Sequence, residues 1–304
     1  MGLKEKISIR ASGIFLYGLI PPKVKHDSSK VAAIAKKQAD RIRQLPVDGL
    51  ILYDIHDEKD RNDQERTFPY LETIDPKEYA QVHLGDLDLP KVIYRCVGKY
   101  SKETFKNWLK EEETGSLSVF VGAASSQSKP DLPLGQAYNL YKDHGQHITL
   151  GGVCIPERHH KKSDEHLRLL SKQARGCQFF ISQAVYNLEE AKNFLSDYYY
   201  HCYQVKEEMV PIIFTLSPCG SKKTLDFLKW LGISISKWLE NDILNSRNSV
   251  MTSVDILCRN FQDLWTFAQS KGIPIGCNIE SIATSRKEID ASVILAEKIS
   301  KIMG

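Results

Sequence analysis

Eight strand-length apolar runs, each separated from the next by a stretch of helical length, limit this chain to very few folds. The runs cover residues 14–20, 49–54, 91–96, 117–121, 148–155, 177–183, 211–216 and 273–279. Strands joined by helix-length segments pair in parallel, because a parallel connection needs a crossover where a hairpin does not. Eight such units favour closure into an α/β barrel over an open doubly wound sheet. The expected architecture is a (β/α)8 TIM barrel formed by residues 1–304 as one domain, a length that suits this fold.

The intervening segments read as helices. Residues 28–43 place Val31, Ile34, Ala35 and Ala39 on one face, with Ser28 or Ser29 as the expected cap. Further helices are expected over 76–82, 102–112 (capped by Ser101), 134–141, 163–176, 188–199 and 288–303. Between the seventh and eighth strands the chain carries extra helices, over 222–231, 236–244 and 254–271.

A hydrophobic fraction of 42% against 26% charged residues leaves enough apolar material for a large core. The net charge of +3 is too small, and its basic residues too interspersed with acidic ones, for a nucleic-acid partner. No run of eighteen apolar residues exists to span a membrane, and the N-terminus lacks the pattern of a signal peptide. The seven cysteines are odd in number and scattered without CxxC spacing, which reads as buried free thiols in a reducing cytoplasm.

In a parallel barrel the polar residues just beyond each strand face a shared mouth. Here they are Asp54 and His56, Ser125 to Gln127, Glu157 and His159, Gln183, Thr215 and Ser217, then Asn278, Glu280 and Ser281. Gln183 offers a donor and an acceptor on one amide, which suits a flat hydrogen-bonding ligand. The same amide also suits a cap that ties its strand to loop backbone. Asp54 and Glu280 end apolar strands, where partial desolvation raises a carboxyl toward general-acid use. Salt bridges to Arg61 or Lys23 are the alternative reading for both. His159, His160 and His166 lack the i, i+4 pairing of a helical zinc site, so they are read as solvated and no metal is expected. Glycine-rich phosphate loops and the GxSxG elbow are absent.

Several segments together resemble the methylenetetrahydrofolate reductase family in its barrel domain. Tyr17-Gly18-Leu19-Ile20-Pro21-Pro22-Lys23 is similar to its first strand, usually Phe-Glu-Phe-Phe-Pro-Pro-Lys. Cys154-Ile155-Pro156-Glu157-Arg158-His159 resembles its Tyr-Pro-Glu-x-His turn, and Phe180-Ile181-Ser182-Gln183-Ala184-Val185-Tyr186 its Ile-Thr-Gln-Phe-Phe-Phe strand. The proline-bounded segment from Pro211 to Pro218 resembles its seventh strand. The tail Gly276-Cys277-Asn278-Ile279-Glu280-Ser281-Ile282 is similar to a flavin-independent branch. The order and spacing of these motifs over nearly the whole chain carry the likeness.

The resemblance implies an oxidoreductase of one-carbon metabolism, which reduces a methylene group on a tetrahydrofolate to methyl. The hydride comes from bound FAD or, in the flavin-free branch, directly from NAD(P)H. It implies pterin binding by Gln183, either ligand packing or a core role for Tyr186, and cofactor contacts at His159 and Lys172, which also read as surface residues; Asn278 is taken as a further substrate-binding residue and Glu157 as a further cofactor-binding one. Two departures stand out. The first-strand catalytic Glu of the family falls on Gly18, and the Asp after its fourth strand falls near Ala123. The flavin-facing Tyr is Ile155. These departures speak against FAD and leave Asp54 or Glu280 to supply the acid. They also leave open a non-reductive folate-binding protein, a subunit of a larger one-carbon enzyme, or a methyltransferase-like barrel. Homo-oligomers or a partner subunit fit either course.

Overall fold

A computed structural model of the chain describes residues 1–58, 61, 64–123 and 130–304. Eight parallel strands form one closed barrel in chain order. They are β1 (Phe15–Leu19), β2 (Gly49–Leu52), β3 (Lys91–Cys96), β4 (Leu117–Val121), β5 (Thr149–Cys154), β6 (Phe179–Ala184), β7 (Ile212–Leu216) and β8 (Ile275–Glu280). The cylinder closes because β1 pairs with β2 on one side and β8 on the other. This is the (β/α)8 TIM barrel expected from the alternation.

Side chains alternate across each strand. Leu16, Ile51, Val92, Val119, Phe179, Ile181 and Ile213 fill the barrel interior. Their neighbours Tyr17, Leu52, Phe120, Phe180, Phe214 and Ile279 point outward and pack beneath the helices. The helical layer comprises α1 (Leu3–Ser8), α2 (Ser28–Ile42), α3 (Pro76–His83), α4 (Lys102–Glu111), α5 (Leu134–His144), α6 (Pro156–Lys162), α7 (Glu165–Gln173), α8 (Leu188–Val205), α9 (Lys222–Trp230), α10 (Lys237–Asn245), α11 (Ser249–Lys271) and α12 (Arg286–Met303). The extra helices before the last strand are α9 to α11.

Three local expectations change. The cap of α2 is Asp27, whose carboxylate accepts from Lys30 N at 2.8 Å, because the carboxylate reaches the orphan amide one position earlier than either serine. The segment read as one helix over 163–176 is α7 alone. Before it lies the separate helix α6, which starts with Pro156 and ends at Ser163 in a left-handed conformation (φ 48°).

The third change is α1, too short at six residues for a periodic signal. Its Leu3 and Ile7 are buried against the interior cluster and close the N-terminal end of the barrel. A Cβ at Gly49 would stand 2.7 Å from Leu3 Cδ2, so glycine is what admits the helix at that point. Lys6 anchors it: Nζ donates to Gly13 O at 2.9 Å and pairs with Asp48 at 2.7 Å, while Asp48 accepts from Phe15 N at 2.7 Å.

All seven cysteines are free, six of them buried and Cys258 half-buried. Among the described residues no helix is long and apolar enough to cross a membrane.

Candidate functional site

The C-terminal mouth of the barrel gathers polar side chains from β7, β8 and the end of β2, beside a glycine of β1. Glu280 ends β8, two residues after the inward-facing Asn278, and its register partner on β1 is Gly18. Tyr53 follows directly on β2 and fills the space that a Gly18 side chain would take. A Cβ there would lie 2.8 Å from Tyr53 Cε2, 3.0 Å from its hydroxyl and 3.2 Å from Glu280 Cβ.

A chain of hydrogen bonds crosses this floor. Asn278 Nδ2 donates to Tyr53 Oη at 2.9 Å and to Thr215 Oγ1 at 3.1 Å. The Tyr53 hydroxyl lies beside the Glu280 carboxyl, and its polar influence favours the charged form of that group. Burial pushes Glu280 up to about 7, against the opposing effect of the Tyr53 hydroxyl. Burial, reinforced by the Glu280 charge, raises Tyr53 well above the usual phenol range, so it remains a donor. Tyr94 stands edge-on to Tyr53, with ring centroids 4.8 Å apart. The Asn278 Oδ1 atom is buried and has no partner among the described residues. A buried amide oxygen of this kind is an unspent acceptor facing the site.

Gln183 enters the mouth on a β-bulge. The β6–β7 register passes from Ile181↔Ile213 to Ala184↔Thr215, so Ser182 and Gln183 stand opposite one residue. Ser182 Oγ repairs the ladder by accepting from Thr215 N at 2.9 Å. The Gln183 amide donates from Nε2 to Leu231 O at 2.7 Å, so it does tie its strand to loop backbone. Its Oε1 has no partner among the described residues and remains available as an acceptor.

Arg61 and Arg66 were not read as site residues in the sequence. Arg61 shares the Leu231 carbonyl with Gln183, at 3.1 Å. Arg66 lies over the rings of Trp230, Phe227 and Tyr70 at 5.2, 5.4 and 5.8 Å. Its Nε and one terminal nitrogen are buried without partners among the described residues. The charged segment after β2 hid them, because local charge gives no hint of an aromatic surround supplied by α9.

The remaining candidates lie apart from this group. Asp54 turns away from Tyr53, as strand alternation requires. It accepts from Cys96 N at 2.8 Å and pairs with Lys99, not with Arg61 or Lys23. Tyr186 is buried in the outer core and donates to Ser217 O at 2.6 Å. Ser125, Ser126 and Gln127 lie outside the described residues.

Glu157 and His159 lie on α6, directly after β5, and Lys172 on α7. Lys172 Nζ donates to Val153 O at 2.5 Å. His159 is buried against Phe194 and His166, with Nε2 3.0 Å from Asp197 Oδ2 on α8. Glu157 is buried with neither carboxylate oxygen partnered among the described residues, and burial pushes it up to about 8. His159 and Lys172 thus spend a polar atom on Asp197 and on the β5 backbone, whereas the Glu157 carboxyl has no partner among the described residues. The reading of His159 and His166 as solvated is overturned: both are buried, because α8 covers them.

No protein-family model matches the sequence, and no curated protein does. Among solved structures, the chain is similar to an EDTA monooxygenase from Chelativorans sp. BNC1 at 11% identity, over 96% of this chain and 93% of that one, with a TM-score of 0.50. At that identity only the fold is shared. A much nearer structure is that of an uncharacterized protein from Clostridium thermocellum that binds two copies of 5-methyl-5,6,7,8-tetrahydrofolic acid. It is 48% identical over 99% of both chains, with a TM-score of 0.89. The chain belongs to the family of this Clostridium thermocellum barrel protein.

Proposed function

We propose that the barrel mouth binds a tetrahydrofolate, and that the chain reduces a methylene-tetrahydropterin to its methyl form with hydride from NAD(P)H. The observation that carries this reading is the Glu280 carboxyl. It is held beside Gly18, the strand position where the resemblance places the catalytic acid, and is pushed up to about 7. The family relative that binds 5-methyl-tetrahydrofolic acid supports the ligand class, since that compound is the product of such a reduction.

The residues divide the work. Gln183 Oε1 and Asn278 Oδ1 are acceptors for the N–H groups along a pterin edge. Glu280, neutral below about pH 7, gives its proton to the ring nitrogen that leaves the methylene carbon. Tyr53 orients that carboxyl and Asn278 orients Tyr53. Arg66, two of whose guanidinium nitrogens have no partner among the described residues, would pair with the carboxylate tail of a folate. The nicotinamide supplies the hydride that completes the methyl group. Asp54, already bound to Cys96 N and Lys99, serves as a structural anchor in this scheme.

A second reading, a folate-binding protein without reductase activity, is favoured by the lack of a carboxylate at both Gly18 and Ala123. Calorimetry with 5-methyl-tetrahydrofolate and an NADH-oxidation assay with methylene-tetrahydrofolate separate the two. The reductase reading expects both binding and turnover, with Gln183→Ala weakening binding by about 1–3 kcal/mol. Binding without turnover selects the second reading, and absence of binding overturns both.

A further inference from the structure

On the outer helical layer, three helices bring together a ligand set that their sequence spacing conceals. His159 comes from α6, His166 from α7 and Asp197 from α8, and one ligand atom of each lies within 4.8 Å of the other two. The His159 imidazole is already 3.0 Å from the Asp197 carboxylate. His159 and His166 each carry a buried Nδ1 with no partner among the described residues. His201, one turn beyond Asp197, stands edge-on to His166 with ring centroids 5.7 Å apart.

Two imidazoles and one carboxylate form a donor set suited to zinc-class ions, whereas calcium and magnesium prefer oxygen ligands throughout. Tetrahedral bonds of about 2.0–2.1 Å place ligand atoms about 3.4 Å apart. The observed spread therefore needs side-chain movements on the order of 1 Å, within reach of imidazole and carboxylate rotation. A cavity of about 230 Å³ adjoins the group, lined by His159, His160, Ser163, Glu190, Asn193 and Asp197. It leaves a coordination position open to a small ligand. The alternative is a His–Asp hydrogen bond alone, which accounts for His159 Nε2 but not for the convergence of His166 on the same carboxylate.

We propose that His159, His166 and Asp197 bind one zinc-class divalent ion, which clasps α6 and α7 to α8. Because α6 begins at Pro156, two residues beyond the end of β5, the ion would stiffen the strand end that leads to the mouth. This site stands independently of the folate reading.

The test uses untagged full-length protein stripped with a chelator, then titrated with Zn²⁺ by calorimetry and with Co²⁺ by absorption spectroscopy. One equivalent is expected to bind, to raise the melting temperature and, as Co²⁺, to give the visible bands of a four-coordinate ion. His166→Ala and Asp197→Asn are expected to weaken binding at least about tenfold and to remove those bands. His26→Ala, at a half-buried histidine elsewhere, is expected to change neither. Asp197 has a half-exposed side chain, so Asp197→Asn decides the matter if His166→Ala fails to fold. Wild-type protein without stoichiometric binding, or a folded Asp197→Asn variant with undiminished affinity, overturns the proposal.

Discussion

Gly18 and Glu280 are register partners across the β1–β8 seam, and the space above the glycine is taken by Tyr53, whose hydroxyl lies beside the Glu280 carboxyl. The carboxyl proposed as the acid therefore stands on the strand beside the one where the family resemblance places it. The glycine is a consequence of that arrangement: a side chain on β1 and the tyrosine on β2 cannot share the same volume.

Glu280→Gln tests the acid role directly. Reductase turnover is expected to fall by about 10²–10⁴, with folate binding retained. In the wild type, kcat/KM is expected to decline as pH rises through about 7, because the neutral carboxyl is the proton donor. That inflection is expected to vanish in the variant. Stability carries the same signature. The folded state holds its proton more tightly than the unfolded chain, whose ordinary value is 4.5. The wild type accordingly loses stability as pH rises from about 4.5 through 7. Melting curves across that window are expected to move in favour of Glu280→Gln; a constant difference would refute the shifted titration.

Tyr53→Phe removes the hydroxyl that favours the charged form of Glu280. The pH–rate inflection is expected to move upward, and unfolding in urea to show a loss of about 1–2 kcal/mol as Asn278 loses a partner. An unchanged inflection would separate the tyrosine from the acid.

Gly18→Ala forces a Cβ to 2.8 Å from the Tyr53 ring. Stability is expected to fall by about 1–3 kcal/mol, and turnover to fall with it, since Tyr53 and Glu280 must both shift. Gly18→Glu, which restores the acid at the family position, is expected to leave turnover below wild type for the same steric reason. Activity above wild type would show that the glycine is no steric requirement.

Leu3→Ala opens a void at the N-terminal end of the barrel, where Leu3 is 1% exposed. Chemical denaturation is expected to show a loss of about 2–5 kcal/mol, with folate affinity unchanged at the opposite end. A coupled loss of affinity would mean that the two ends of the barrel communicate.

The barrel itself was legible because each strand and helix carries its own period: apolar runs such as those around Leu50 and Phe214 announce β-strands without reference to the rest of the chain. Strand ends were legible for a related reason, since alternation from buried positions carries Asn278 and Glu280 into the mouth. What sequence could not reveal depends on contacts between distant residues. The helix α1 exists because Leu3 meets Gly49 and Lys6 meets Asp48, and six residues alone have no measurable period. Asp54 and Glu280 looked alike as strand-terminal acids. One residue of offset from the inward face ties the first to Cys96 N and Lys99, while the second is desolvated beside Tyr53. His159 and His166 looked solvated until α8 brought Asp197 against them. Local periodicity was enough to place the eight strands and most of the helices. Which polar groups lose water and which partners they gain followed only from folding, because desolvation and hydrogen bonding depend on neighbours distant in the chain.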